Sequence, residues 1–302
     1  MVPVMPPSNR HEPQSARGKG RVLITGASGF TGRYMSQELQ AHGWAPVALQ
    51  ANLLDAQALH DAVQQAQPMA VVHLAAVAFV AHGEAEDFYR VNVVGTRNLL
   101  AALAALPQPP QRVLLASSAN VYGNTAAGLL GEDTPLNPAN DYAVSKAAME
   151  MMARLWIERL PIVITRPFNY TGAGQAEQFL VPKIVAHFRQ RAAEIELGNL
   201  QVWRDFSDVR QIVAIYRRLL ELPKLDSGSV FNVGSQRLHS LGDILALAQE
   251  LTGHQMQVRV NPAFVRANEV RELRADTSRL RASIGQFEPI ALRETLQWML
   301  RA

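Results

Sequence analysis

The stretch RVLITGASGFTG, residues 21–32, decides how this chain must be built. Its first five residues are a short, mostly apolar run, the pattern of a strand covered on both faces. Three glycines follow at positions 26, 29 and 32. Glycine tolerates a tight left-handed turn, lets backbone approach a pyrophosphate closely, and allows a helix to press on its strand. The free amides of a helix starting near Phe30 then face any phosphate placed there. Between a strand and a helix at the first βα turn, the trio points to a dinucleotide held by Gly26, Ser28, Gly29, Phe30, Thr31 and Gly32.

Moving outward, the runs at 46–50, 70–75, 112–117, 161–166 and 230–235 read as further strands, with helical periodicity between them. Helical patterns at 209–222 and 240–252 flank the last of these. Strands apolar on both faces, alternating with helices, require a parallel sheet covered on two sides. The expected fold class is therefore α/β, a doubly wound parallel sheet of the Rossmann type. Beyond residue 168 the rhythm becomes irregular, as in NYTGAGQ and GNLQVWRDFSD. The expected organisation is a dinucleotide-binding domain over 21–168, rejoined by 208–250, with a smaller substrate-binding part from 169–207 and 251–302.

Composition narrows the classes. A chain of 302 residues, 48% hydrophobic and 18% charged, is long enough for a large core. The sequence pI of 9.4 is weak evidence for nucleic acid. Residues 1–20, rich in Pro, Ser and Gly, read as a flexible tail. They carry Arg10, Arg17 and Lys19 against Glu12, which is +2 of the formal +3, so no basic stripe stands behind the pI. The longest apolar runs fall well short of a membrane span. With no cysteine, disulfides and thiolate metal sites are excluded, no metal is expected, and a cytoplasmic home is allowed.

The second chemical signal is DYAVSK, residues 141–146. The chain contains 4 lysines beside 25 arginines, so a lysine is a residue that arginine has not replaced. At helical spacing Tyr142 and Lys146 lie on one face, where the ammonium can assist the phenol and reach a bound ribose. With so few of each, about 0.08 such pairs are expected by chance. A nearby cation favours the ionised phenol, and a compact ammonium fits there better than a planar guanidinium. Ser117 and Ser118, after the fourth strand, can supply a hydroxyl for a substrate oxygen; at a strand end, one of the two reads as a turn former.

The dinucleotide itself is open on residue grounds. An NAD site usually carries Asp or Glu at the end of the second strand, and here that strand ends in ALQAN. Arg33, just after the last motif glycine, can meet a 2′-phosphate or simply cover the helix surface. The expected cofactor is NADP(H) or NAD(H).

TGASGFTG, HLAA, VNVVGT, SSANVYG, YAVSK and RPFN, in this order, resemble the extended short-chain dehydrogenase/reductases that act on nucleotide sugars. The resemblance spans roughly residues 21–300. It implies a catalytic Ser118, Tyr142 and Lys146, with further cofactor contacts from Leu74, Ala75, Ala76 and Asn92. Asn52, followed by Leu53, falls where the family usually has an Asp beside the adenine. The second half, with RPFNYTGAGQ, FLVPKI, FNVGS and VRANEV, is similar to the GDP-mannose branch. That likeness implies that Asn169, Val181, Lys183, Arg204, Arg266 and Glu269 line a GDP-sugar site, together with Ser118 and Asn120.

Dehydratases of this family carry a Glu two places after the catalytic hydroxyl. Here that place is Asn120, whose amide cannot act as a base. The implied activity is reduction of the C4 keto group of a GDP-linked 4-keto-6-deoxyhexose, giving GDP-D-rhamnose or its C4 epimer. The alternatives are a nucleotide-sugar 4-epimerase holding NAD tightly and a dinucleotide-sensing regulator without catalysis. Relatives often pair through helices that here would span 85–106 and 139–159, so the expected assembly is a homodimer.

Overall fold

The computed structural model describes residues 18–78, 84–123, 128–264 and 272–302. Arg266, Glu269 and residues 1–17 of the expected tail lie outside the described residues. Strands β1 (Arg21–Thr25), β2 (Ala45–Ala48), β3 (Ala70–His73), β4 (Arg112–Ala116), β5 (Ile162–Pro167) and β6 (Ser229–Val233) form one sheet in the order β6-β5-β4-β3-β1-β2. Every pair in it is parallel, as strands buried on both faces require.

The described helices are α1 (Phe30–Ala41), α2 (Ala56–Ala66), α3 (Ala85–Tyr89), α4 (Thr96–Ala104), α5 (Asp141–Ala153), α6 (Leu180–Arg189), α7 (Val209–Leu220), α8 (Leu241–Thr252), α9 (Ser278–Ile284) and α10 (Leu292–Arg301). A π-helical turn at Arg90–Gly95 joins α3 to α4. Several starts are fixed locally: Asp55 accepts the Ala58 amide at 3.0 Å before α2, and Asn140 accepts that of Ala143 at 2.9 Å before α5. Before α8, Ser240 and Asp243 form a reciprocal capping box.

Because side chains alternate along a strand, each strand feeds two cores. Leu23, Val71, Val113, Leu115, Ile162 and Ile164 pack under α2, α4 and α5. Val22, Ile24, Val72, Leu114, Val163 and Phe231 pack under α1, α7 and α9. A separate apolar core joins Val181, Ile184 and Phe188 of α6 to Ile244 and Ala248 of α8 and Leu296 and Met299 of α10. A second sheet runs beside it, with strands at Leu238–Ser240, Trp203–Asp208, Glu272–Ala275 and Gly128–Leu130, and with Asn169–Thr171 paired to Trp203–Asp208.

The chain therefore passes between the two bodies repeatedly. Residues 209–233 return to the main sheet, as the strand pattern suggests. The return ends at β6, however, and not at residue 250: the apolar face of α8 is buried against α6 and α10 instead of the main sheet. Conversely α9, inside the expected C-terminal part, buries Leu280 and Ile284 against the main-sheet core.

Candidate active site

The site lies where the strand order reverses. β1 is followed in sequence by β2 on one side, and β3 returns to its other side, so the C-terminal ends of β1 and β3 open a crevice at a topological switch point. Gly26 turns there with φ +71°, and a Cβ on it would stand 2.8 Å from the Ala75 amide nitrogen. A Cβ on Gly32 would stand 2.1 Å from the Gly26 carbonyl oxygen. Two of the three glycines are thus dictated by backbone packing of the loop on the β3 end and on α1.

The loop fits a dinucleotide phosphate on one further observation. Where side chains cap α2, α5 and α8, helix α1 has no side-chain cap at Gly29, and it has no acidic residue in its first turn. Its first amides are left to an outside acceptor, and the positive end of the helix dipole faces the same place. Leu74, Ala75 and Ala76 form the opposite wall, half-buried. Arg33 is exposed and donates to the carbonyls of Ser28 and Gly174, both at 3.1 Å, so it straps the glycine loop to the 172–175 turn. Phe30 stacks on Tyr170, and Thr31 shares a 3.0 Å hydrogen bond with the Tyr170 hydroxyl.

Asn92 is placed less directly. It is buried in the π turn, where its Oδ1 accepts the Val77 amide at 3.0 Å and its Nδ2 donates to the Val77 carbonyl and to Ser145. It ties the β3 loop to α5. Asn52 is exposed and turns back on the Leu54 amide at 3.0 Å, while Leu53 is buried against Gly95.

Ser118, Tyr142 and Lys146 come together at the end of β4. Tyr142 sits in the first turn of α5, and its phenol shares a hydrogen bond with Ser118. Burial pushes that phenol up to about 12, although the Ser118 bond pulls the other way and nearby Tyr170 adds to the rise. Burial, not the cation expected beside it, dominates, and Tyr142 holds its proton at neutral pH. Lys146 is buried one turn on and donates to the Ala116 carbonyl at 2.8 Å. Burial brings its ammonium down to about 8, against the opposing charge of Glu150. Ser117 faces elsewhere and donates to Glu150 at 2.5 Å, so Ser118 is the hydroxyl available to a substrate.

His73, in the quoted HLAA stretch, escaped the sequence reading of function. Its ring is wholly buried between Thr25 on β1 and Thr96 on α4, at 2.7 and 2.8 Å. Thr96 donates to the Asn92 carbonyl, so it must accept from His73 Nε2–H, which leaves Nδ1 to accept from Thr25. Thr25 Oγ1 in turn accepts the amides of Leu74 and Ala75, both at 3.1 Å. This relay sets both walls of the crevice. Burial, with the Lys146 charge, lowers the imidazole to about 3, so the ring is neutral. A histidine inside an otherwise apolar strand was the available signal.

The residues implied for the sugar are dispersed. Asn120 is exposed beside Ser118, and its backbone N–H donates to Ser118 Oγ at 3.2 Å. Asn169, also exposed, has its Nδ2 3.5 Å from the Asp205 carbonyl. Val181 is buried in the α6 core, which leaves only its backbone for a ligand. Lys183 donates to the Glu196 carbonyl at 2.9 Å and lies over the Phe264 ring. Arg204 is half-buried and donates to the Trp203 carbonyl at 2.9 Å. Among the described residues no group of three or more His, Cys, Asp or Glu could hold a metal, and no helix is long and apolar enough to cross a membrane.

A parallel sheet with a phosphate-ready switch point, and a phenol and ammonium at its edge, defines a nicotinamide-dinucleotide oxidoreductase. Residues 22–234 match the NAD dependent epimerase/dehydratase family, and the chain belongs to it. It is 34% identical to GDP-6-deoxy-D-talose 4-dehydrogenase of Aggregatibacter actinomycetemcomitans, over 88% of this chain and 91% of that protein. It is 32% identical to GDP-6-deoxy-D-mannose reductase of Pseudomonas aeruginosa, over 93% and 96%. Among solved structures it resembles a candidate epimerase of Burkholderia cenocepacia J2315, with TM-score 0.89 and 48% identity over 94% and 98% of the two chains. RMD of Pseudomonas aeruginosa, solved with NADPH, superposes with TM-score 0.84 at 31% identity over 93% and 96%. The cofactor is NADP(H) or NAD(H).

Proposed function

We propose that the protein reduces the C4 keto group of GDP-4-dehydro-6-deoxy-D-mannose, giving GDP-D-rhamnose or its C4 epimer. The carrying observation is the joined Ser118, Tyr142 and Lys146 set, with an amide at Asn120 where a dehydratase needs a carboxylate. Two relatives named for GDP-6-deoxyhexose oxidoreduction support the substrate class, and they differ in the sugar named, as the open C4 stereochemistry anticipates.

When bound, reduced nicotinamide supplies the hydride to C4. Ser118 holds the carbonyl oxygen and stabilises the negative charge that develops on it. Tyr142, which keeps its proton at neutral pH, gives that proton to the oxygen. Lys146 remains cationic up to about pH 8 and stabilises the phenolate that results. Gly26, Ser28, Gly29, Phe30, Thr31, Gly32 and Arg33 would hold the pyrophosphate end, with Leu74, Ala75 and Ala76 along the other wall. Asn92 supports that wall, and Asn52 and Leu53 would meet the adenine end. Asn169, Lys183 and Arg204, with the Val181 backbone, Arg266 and Glu269, would receive the GDP-sugar. The exposed apolar side chains of Val94, Val144, Met151 and Leu155 lie along the π turn, α5 and the turn after it, which supports a homodimer through these helices.

The test supplies NADPH or NADH with GDP-4-dehydro-6-deoxy-D-mannose and follows nicotinamide oxidation and the sugar formed. Oxidation with a GDP-6-deoxyhexose product is expected, and Tyr142→Phe should abolish it while cofactor binding persists. No oxidation, with NAD already bound to purified protein, would move the assignment to a nucleotide-sugar 4-epimerase.

A further inference from the structure

Behind the phenol and the ammonium lies a buried polar cluster that the proton transfer does not use. Tyr142, Lys146 and Glu150 recur at four-residue intervals on α5 and so share one face. Each reaches the end of β4. Tyr142 meets Ser118, Lys146 Nζ donates to the Ala116 carbonyl at 2.8 Å, and Ser117 Oγ donates to Glu150 Oε1 at 2.5 Å. Three consecutive residues, 116–118, are thus held by three successive turns of one helix.

Glu150 is 2% exposed and is gripped from β5 by Arg166. Arg166 Nε lies 3.0 and 3.2 Å from the two carboxylate oxygens, and Nη2 lies 2.6 Å from Oε2. Nη1 donates to the Tyr122 hydroxyl at 2.9 Å and the Glu132 carbonyl at 3.0 Å, and Tyr122 donates to Asn232 at 2.6 Å. A buried ion pair is poor value as packing, because apolar residues of the same size do that work as well. This one spends a carboxylate oxygen on the strand end that carries Ser118.

We propose that Glu150, anchored by Arg166, is a positioning residue: through the Ser117 hydroxyl it holds the Ala116–Ser118 strand end against Tyr142 and Lys146. Its negative charge, one turn from Lys146, also favours the ammonium. The charged and titratable groups facing Lys146 are Tyr142 and Glu150 from its own helix, the neutral His73 from β3 and, paired with Glu150 from β5, Arg166, which opposes the pull of Glu150 on the ammonium without cancelling it. Glu150 is therefore the one anion among the described residues in a position to raise the ammonium. The inference rests on Tyr142 and Lys146 as the proton-moving pair, and its test needs no substrate.

The chain has 4 lysines, so labelling with ε-13C-lysine gives four resonances, and Lys146→Met identifies the one that matters. That resonance is titrated in wild-type protein, in Glu150→Gln, and in Ser117→Ala, which leaves the ion pair intact if Glu150→Gln fails to fold. Glu150→Gln is expected to move the Lys146 titration down by about one pH unit. Ser117→Ala should give a smaller downward step, because the Ala116 carbonyl is no longer held squarely against the ammonium, and Ser117→Thr should restore it. A Lys146 titration at the wild-type pH in either folded variant overturns the proposal. Turnover by Tyr142→Phe would sink the catalytic assignment instead, and the titrations would stand apart from it.

Discussion

Replacing His73 by glutamine should make the stability of this protein less sensitive to acid. The folded imidazole is held neutral, at about 3, by burial and by the Lys146 charge, whereas the unfolded ring has the ordinary value of 6.5. Its folded value is depressed, so below pH 6.5 the unfolded chain binds a proton that the native chain does not. The stability contribution is complete above pH 6.5 and is lost as pH falls toward 3. Each pH unit in that window corresponds to about 1.4 kcal/mol, so the step from pH 7 to pH 5 removes about 2 kcal/mol. Urea unfolding of wild type and His73→Gln at pH 7 and pH 5 measures it. Carboxylates, and His239, which burial also lowers, titrate in both proteins and cancel in the difference. The variant starts weaker, since glutamine cannot span Thr25 and Thr96 as the ring does, but it should lose about 2 kcal/mol less than wild type over the interval. An equal loss in both would refute the buried, neutral assignment of the ring and the relay built on it.

Five other outcomes are expected. Gly32→Ala, whose Cβ would stand 2.1 Å from one backbone atom and 2.6 Å from another, should weaken NADPH binding by about 100-fold in a fluorescence titration. Gly43→Ala, strained in φ but open in space, should lower the melting temperature and leave binding alone. Thr25→Val removes the oxygen that serves Leu74, Ala75 and His73, and should cost about 1–3 kcal/mol of stability in denaturant. In wild type the reduction should slow as pH rises past about 8, where Lys146 loses its proton. Lys146→Arg should lower kcat by about 100-fold and lose that alkaline limb, because a guanidinium does not deprotonate there.

The main sheet was legible because its strands are apolar on both faces, a pattern that depends on neighbours in sequence alone. The glycine loop and the Tyr142–Lys146 spacing were legible for the same reason: turn and helix geometry are local. The choice of Ser118 over Ser117 came from the family likeness alone, since its physical reason lies with Glu150, 33 residues from Ser117. Thr25 and His73, 48 residues apart, meet only because β1 and β3 are neighbours. Lys183 and Arg204 read as ligand cations in sequence, and each donates to a backbone carbonyl here, a contact that no charge pattern encodes. The place of α8 was hidden because its period marks an apolar face without saying which core receives it.

The alternation of the chain between its two cores bears on how the protein is made. Residues 21–167 supply five strands of the main sheet, yet β6 lies near residue 230 and α9 near residue 280. The α6 core likewise waits for α10. On the ribosome neither body can close as its own segment emerges, and the α7 surface that receives Leu280 and Ile284 stays bare until both have left the tunnel. Both bodies therefore close only after α9 and α10 emerge, and a chain halted before residue 278 leaves the two of them with open cores.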